Sequence, residues 1–219
     1  MSKIILEPYI CPLDETIYKV CGADEAGRGP LMGNVVAACV LLDPNHEIEG
    51  LNDSKKITEK KRDALEPLIK QYALGYGIGQ CTPEEIDSMN ILNASLEAMK
   101  RAYLNMAISC NLMLVDGNKV VKNLGISCEA VVKGDARVRQ IAAASILAKV
   151  ERDRQMYELD AKYPEYQFAK HKGYPTKAHL ELLQNLPVLD CYRKSYGPVK
   201  KILQQRNPVD PLDAQELWG

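Results

Sequence analysis

The chain has 219 residues, 46% hydrophobic and 26% charged, with a formal net charge of −1. That is the make-up of an ordinary globular protein, and the length suits one domain with a sizeable core. It excludes a membrane span, since no apolar run approaches the roughly 18–20 residues such a helix needs. The start "MSKIILEPYICPLDE" lacks the pattern of a secretory signal. A cytoplasmic protein without membrane contact is expected.

In chain order, "IYKVCGAD" and "NVVAACVLL" are short runs rich in Val, Ile and small apolar residues, separated by a Gly and Pro turn. They predict two paired strands. Adjacent carboxylates, Asp24 and Glu25, stand where the first apolar run meets the glycine-rich turn. Neighbouring strand residues point to opposite faces, so a buried strand does not easily hide both charges, and the pair belongs at a strand end. "YALGYGIGQ" alternates as a third strand. Thr82, Pro83 and Glu85 then form a capping box, and Ile86, Met89, Leu92, Leu96, Met99, Tyr103 and Met106 recur at helical spacing. One amphipathic helix is expected there.

"LMLVDGN" and "SCEAVVKGD" read as the fourth and fifth strands. "RQIAAASILAKVERDRQMYELDAKY" predicts a helix whose small, apolar first turns pack on a sheet before it emerges into solvent. Three antiparallel strands followed by strand-helix-strand units predict an α/β protein with a five-stranded mixed sheet and helices on both faces.

Acids fall at three of these junctions: Asp24 with Glu25, Asp116 before a glycine, and Asp135 at the mouth of the long helix. Singly, the last two read as a turn and an N-cap. Open α/β sheets bind ligands at the carboxyl ends of strands, and four carboxylates meeting there suit Mg²⁺ or Mn²⁺ rather than zinc. The glycines of "GRGPLMG" and "GYGIG" match neither a dinucleotide fingerprint nor a P-loop. Close backbone approach to a ligand is left as a role for Gly27 and Gly29, against a simple turn.

Seven cysteines with no CxxC pair read as reduced small hydrophobes, and the three histidines lack zinc-like spacing. Residues 161 to 206 carry nine Lys and Arg against three Asp and Glu. That asymmetry fits a polyanion held over metal ions, or a solvated face.

"DEAGRGPLMG", "LNDSKKITEKKR", "LVDGN", "KGDARVRQIAAASILAKVERDR", "HKGYPTKAH" and "YRKSYGPVK" occur in the order and near the spacing found in type 2 ribonuclease H, bacterial ribonuclease HII. The chain resembles that family from about residue 15 to residue 200. Departures are Asn34, where proline is usual, and "YRKSYGP", where arginines and phenylalanine are commoner.

The resemblance implies a ribonuclease H-like fold with a helical C-terminal segment and a catalytic domain over residues 15–205, and the last residues, 206–219, read from their composition as a flexible tail. It puts two divalent ions, Mg²⁺ or Mn²⁺, on Asp24, Glu25, Asp116 and Asp135. Gly27, Arg28 and Gly29 would read a ribose 2′-hydroxyl and Tyr174 would stack on the next sugar. Lys55, Lys56 and Lys172 would contact phosphates. The activity implied is that of a monomeric endoribonuclease. Its substrates would be the RNA strand of RNA/DNA hybrids and single ribonucleotides embedded in duplex DNA, cut on their 5′ side. Two alternatives remain at this level. Type 3 ribonuclease H usually reads G-T-G at the glycine motif and has a long N-terminal domain. A non-catalytic hybrid-binding module would gain nothing from clustered acids.

Overall fold

The computed structural model describes residues 9–52 and 54–206. In chain order the elements are β1 (Val20–Ala26), β2 (Val35–Leu42), α1 (Glu59–Tyr72), β3 (Ala73–Cys81), α2 (Pro83–Met89), α3 (Ile91–Met106), β4 (Leu112–Asp116), β5 (Ser127–Val131), α4 (Arg139–Lys162), α5 (Phe168–His171), α6 (Lys177–Asn185) and α7 (Gly197–Arg206). The sheet order is β3-β2-β1-β4-β5. β1 to β3 pair antiparallel, whereas β4 and β5 run parallel to β1. This is the expected mixed sheet, with β1 at its centre and the helical C-terminal segment present.

Strand alternation sorts the side chains between two helical layers. Cys21 and Ala23 of β1, with Ala37 and Cys39 of β2, pack on Ala98, Ala102 and Met106 of α3. Ala38 and Val40 of β2 face Ala143, Ala144 and Leu147 of α4 instead. The glycines of "GYGIG" have a packing job: a Cβ on Gly77 would lie 2.1 Å from the Ala102 carbonyl oxygen, and one on Gly79 2.3 Å from that of Ala98. They let α3 lie directly on β3.

Two expectations need correction. The helix expected from residue 82 to residue 106 is two helices, because Asn90 adopts φ 68° between them. Its side chain accepts from the amides of Leu92 and Asn93 and so starts α3 afresh. The sequence reading also contained no α1, whose buried side chains are only Arg62, Leu65 and Ile69. Apart from Arg206, which closes α7, the expected tail lies outside the described residues.

The C-terminal helices form their own apolar cluster, in which Tyr166, Phe168, Leu183, Tyr192 and Val199 pack with Leu31, Met32 and Met156. That cluster ties the far end of the chain to the glycine-rich turn after β1. Among the described residues no helix is long and apolar enough to cross a membrane.

Candidate functional site

The parallel pairing of β1 with β4 sets Ala23 opposite Val115, so the next residues, Asp24 and Asp116, stand at the same height, Asp116 as the last residue of β4 and Asp24 two residues before the end of β1. Gly22 prepares this place, since a Cβ there would lie 2.4 Å from the backbone of Gln140. Its absence brings α4 close to β1, and on the same face two residues later the Asp24 carboxylate meets Ser145 of α4. Ser145 Oγ in turn lies 2.6 Å from Ser54 Oγ, and the Glu25 amide donates to Asp24 Oδ1 at 2.7 Å. Asp116 Oδ1 accepts from the Gly134 amide at 2.7 Å and the Asp135 amide at 3.4 Å. Asp24, Glu25 and Asp116 are thus brought to the carboxyl ends of β1 and β4, and Asp135 is tied beside Asp116 through its backbone amide.

The adjacent acids fall near the end of β1, where Asp24 is buried and Glu25 half-buried. Burial, and then the charges of Glu25 and Asp116, push the Asp24 carboxyl well above its ordinary value. Burial also raises Glu25, against the lowering effect of Arg28 and Lys55. Such a cluster of oxygen donors, mutually repelling and sheltered from water, fits a hard divalent cation. Asp24, Glu25 and Asp116 lie within electrostatic reach of one another, but among the described residues no three acids close into a compact metal-binding group.

Next to the acids the chain turns through Gly27, Arg28 and Gly29. Arg28 lies 3.5 Å from Glu25. The exposed Tyr174 ring lies beside Gly29, where a Cβ would sit 3.4 Å from Cε1. The Leu31 amide donates to the Gly173 carbonyl at 2.8 Å, joining this turn to the Tyr174 loop. Beneath that loop the rings of His171 and His179 stack with centroids 3.9 Å apart. His179 Nδ1 bonds the Tyr174 carbonyl at 2.8 Å, and His171 Nδ1 accepts from the Gly173 amide at 3.1 Å. Burial holds His179 down to about 4.

The three lysines named from the sequence part company. Lys55 and Lys56 are exposed, and Lys55 is close enough to Glu25 to affect its carboxyl. Lys172 instead turns its ammonium inward, 3.3 Å from the centre of the Tyr157 ring and 3.7 Å from Glu59. Two other residues of the basic stretch are also structural. Arg193 is fully buried, and Arg206 donates to the carbonyls of Leu183, Gln184 and Leu186.

Sequence reasoning missed Ser54 and Ser145 behind Asp24, and Arg152 and Arg193 behind the glycine turn. Arg152 is 1% exposed and donates to the Lys172 carbonyl at 3.0 Å. Burial lowers it to about 10. No local signal marks these residues, because serine among alanines reads as helix and arginine in "ERDR" or "YRK" reads as solvated surface.

Comparison with known proteins adds lineage to this geometry. The family model described as Ribonuclease HII matches residues 21–197. A ribonuclease HII of Vibrio campbellii is 54% identical over 202 residues, covering 92% of this chain and 94% of the relative. The crystal structure of the ribonuclease H2 from Pyrococcus horikoshii superposes with a TM-score of 0.73 at 29% identity, covering 87% of this chain and 100% of the other. Bst-RNase HIII, solved in complex with Mn²⁺, is similar in fold, with a TM-score of 0.71 at 15% identity over 88% of this chain and 71% of the other.

Proposed function

Since this chain belongs to the ribonuclease HII family and is a ribonuclease H, a hydrolase of the nuclease class, we propose that it is an endonuclease for ribonucleotides embedded in duplex DNA. It cuts the phosphodiester 5′ to a single ribonucleotide and hydrolyses the RNA strand of longer hybrids. The products carry 5′-phosphate and 3′-hydroxyl ends. Its service in the cytoplasm, as a monomer, is ribonucleotide removal and primer clearance.

Gly29 carries this reading. Its backbone φ is one that any residue adopts, and the side chain nearest to a hypothetical Cβ is the exposed ring of Tyr174, at ordinary contact distance. Nothing in the fold demands glycine there, so the demand comes from outside, as it does where backbone must approach a ligand. The 2′-hydroxyl on the ribose edge is the group that tells RNA from DNA. Gly27, Arg28 and Gly29 offer backbone to it, and the Tyr174 ring is available to stack on the following sugar.

Asp24, Glu25, Asp116 and Asp135 are the residues that would hold two divalent ions, Mg²⁺ or Mn²⁺, as oxygen donors of the right hardness. When bound, such a pair supplies an activated water and shields the departing 3′ oxygen. The chain's own residues do the positioning. Ser145 and the Glu25 amide fix the Asp24 carboxylate, and burial keeps competing water from it. Arg28 and Lys55 lie beside Glu25, where their charge offsets the acids and draws in phosphate. Lys55 and Lys56 hold the duplex by its backbone without reading sequence.

Tyr174→Ala tests the stacking role. Activity on a single embedded ribonucleotide should fall at least about tenfold more than on a long hybrid, where neighbouring ribonucleotides offer alternative registers. Equal losses on both substrates would reduce Tyr174 to a packing residue.

A further inference from the structure

Arg193 is fully buried, yet its donors all end on uncharged oxygens of the glycine turn and its neighbour Tyr196. Nε donates to the Gly33 carbonyl at 3.0 Å, and one terminal nitrogen to the carbonyls of Gly27 at 2.6 Å and Gly33 at 2.8 Å. The other donates to the carbonyls of Arg28 at 3.0 Å and Pro30 at 2.8 Å, and to the Tyr196 hydroxyl at 3.0 Å. That hydroxyl in turn donates to the Arg28 carbonyl at 2.7 Å. A buried guanidinium without a carboxylate is costly, and space-filling alone is better done by an apolar side chain. The four carbonyls belong to one turn, the turn that carries Gly27 to Gly29.

We infer that Arg193 and Tyr196 are positioning residues for ribose recognition: by holding the carbonyls of Gly27 and Arg28 inward, they aim the amides of Arg28 and Gly29 outward at a 2′-hydroxyl. In a trans peptide the carbonyl and the following N–H point in opposite directions, so fixing one aims the other. Neither amide has a backbone acceptor among the described residues. The Pro30–Leu31 peptide shows the same geometry with its acceptor in place. There the Pro30 carbonyl is held by Arg193, and the Leu31 amide on the opposite side donates to the Gly173 carbonyl.

The clamp is itself anchored. The Arg193 amide donates to the Leu31 carbonyl at 2.9 Å. Asp87 of α2 accepts from the Lys194 amide at 2.7 Å and the Ser195 amide at 2.9 Å. The loop after α6 is thus fixed to the body at its arginine and at the two residues that follow.

This inference rests on the proposed reading of a 2′-hydroxyl, and two quantities measured on each protein keep the two claims apart. They are the single-turnover cleavage rate of a duplex with one embedded ribonucleotide in Mg²⁺, and the affinity for an all-DNA duplex of the same sequence. Tyr196→Phe removes one oxygen. It should hold its melting temperature within about 2 °C and its all-DNA affinity within about twofold, while cleaving about three- to tenfold more slowly, the worth of a hydrogen bond or two. Arg193→Lys keeps the charge but cannot reach four carbonyls, and should lose at least about thirtyfold in rate. If Arg193→Lys does not fold, Tyr196→Phe decides alone. A wild type that leaves the embedded ribonucleotide uncut overturns the proposed function and this inference with it. A wild type that cuts it, joined by a Tyr196→Phe that cuts within twofold of it or loses both quantities together, overturns only the positioning role.

Discussion

Gly27 and Gly29 stand two positions apart and are glycine for different reasons. Gly27 has φ +98°, and a Cβ on it would lie 2.2 Å from Nε of the buried Arg152. Gly27→Ala should therefore cost about 2 kcal/mol or more of stability, seen as a melting temperature lower by several degrees. Gly29→Ala has room in the fold. It should melt within about 2 °C of the wild type and keep its metal-induced stabilisation, yet cleave an embedded ribonucleotide at least about tenfold more slowly. A fully active Gly29→Ala would show that both glycines serve the turn alone. The motif was legible as a unit in the sequence, and so were the four acids. The difference between the two glycines was not, because it is set by Arg152, which reaches the turn from a helix far along the chain.

Among the elements, those with strong periodicity were read correctly and those without it were missed or merged. The small residues at the start of α4 announced a helix pressed on a sheet, and the structure buries Ile141 to Ala148 accordingly. α1 gave no such signal: its apolar stripe is narrow and Pro67 lies inside it, so its N-cap Thr58 and its packing on α4 sustain it. The break at Asn90 was hidden because the apolar positions stay in phase across it. Asn90 combines φ 68° with ψ 162°, a region that glycine alone enters readily. Asn90→Gly should therefore be more stable than Asn90→Ala, although alanine is the better helix former, and both should melt below the wild type, which keeps the cap. Thermal melts of the three proteins check this, and a more stable Asn90→Ala would refute the strain assigned to the junction.

At the scale of the whole molecule, the placement of acids toward the carboxyl ends of β1 and β4 and before α4 was legible because apolar runs ended in carboxylates. The distribution of positive charge was not. The basic stretch near the C-terminus contains Lys172, Arg193 and Arg206, all engaged by the protein's own groups, and a string of letters does not show which cations fold back. Log affinity for duplex should fall with log salt at a slope of about −0.9 per phosphate contact. Lys55→Ala should make that slope shallower by about one unit for every sequence alike, whereas Lys172→Ala should leave the slope unchanged and lower the melting temperature instead. A slope altered by Lys172→Ala would mean that its ammonium leaves Tyr157 and Glu59 to bind phosphate. The central claim is that the acid cluster and the glycine turn together make an enzyme that incises beside a lone ribonucleotide. A denaturing gel of a duplex with one embedded ribonucleotide, incubated with and without Mg²⁺ and alongside Asp24→Asn, tests it most directly. The account predicts a single Mg²⁺-dependent cut on the 5′ side of the ribonucleotide, a 3′-hydroxyl on the upstream fragment, and no product with Asp24→Asn. An uncut duplex, a cut on the 3′ side, or cleavage by Asp24→Asn within threefold of the wild type would contradict it.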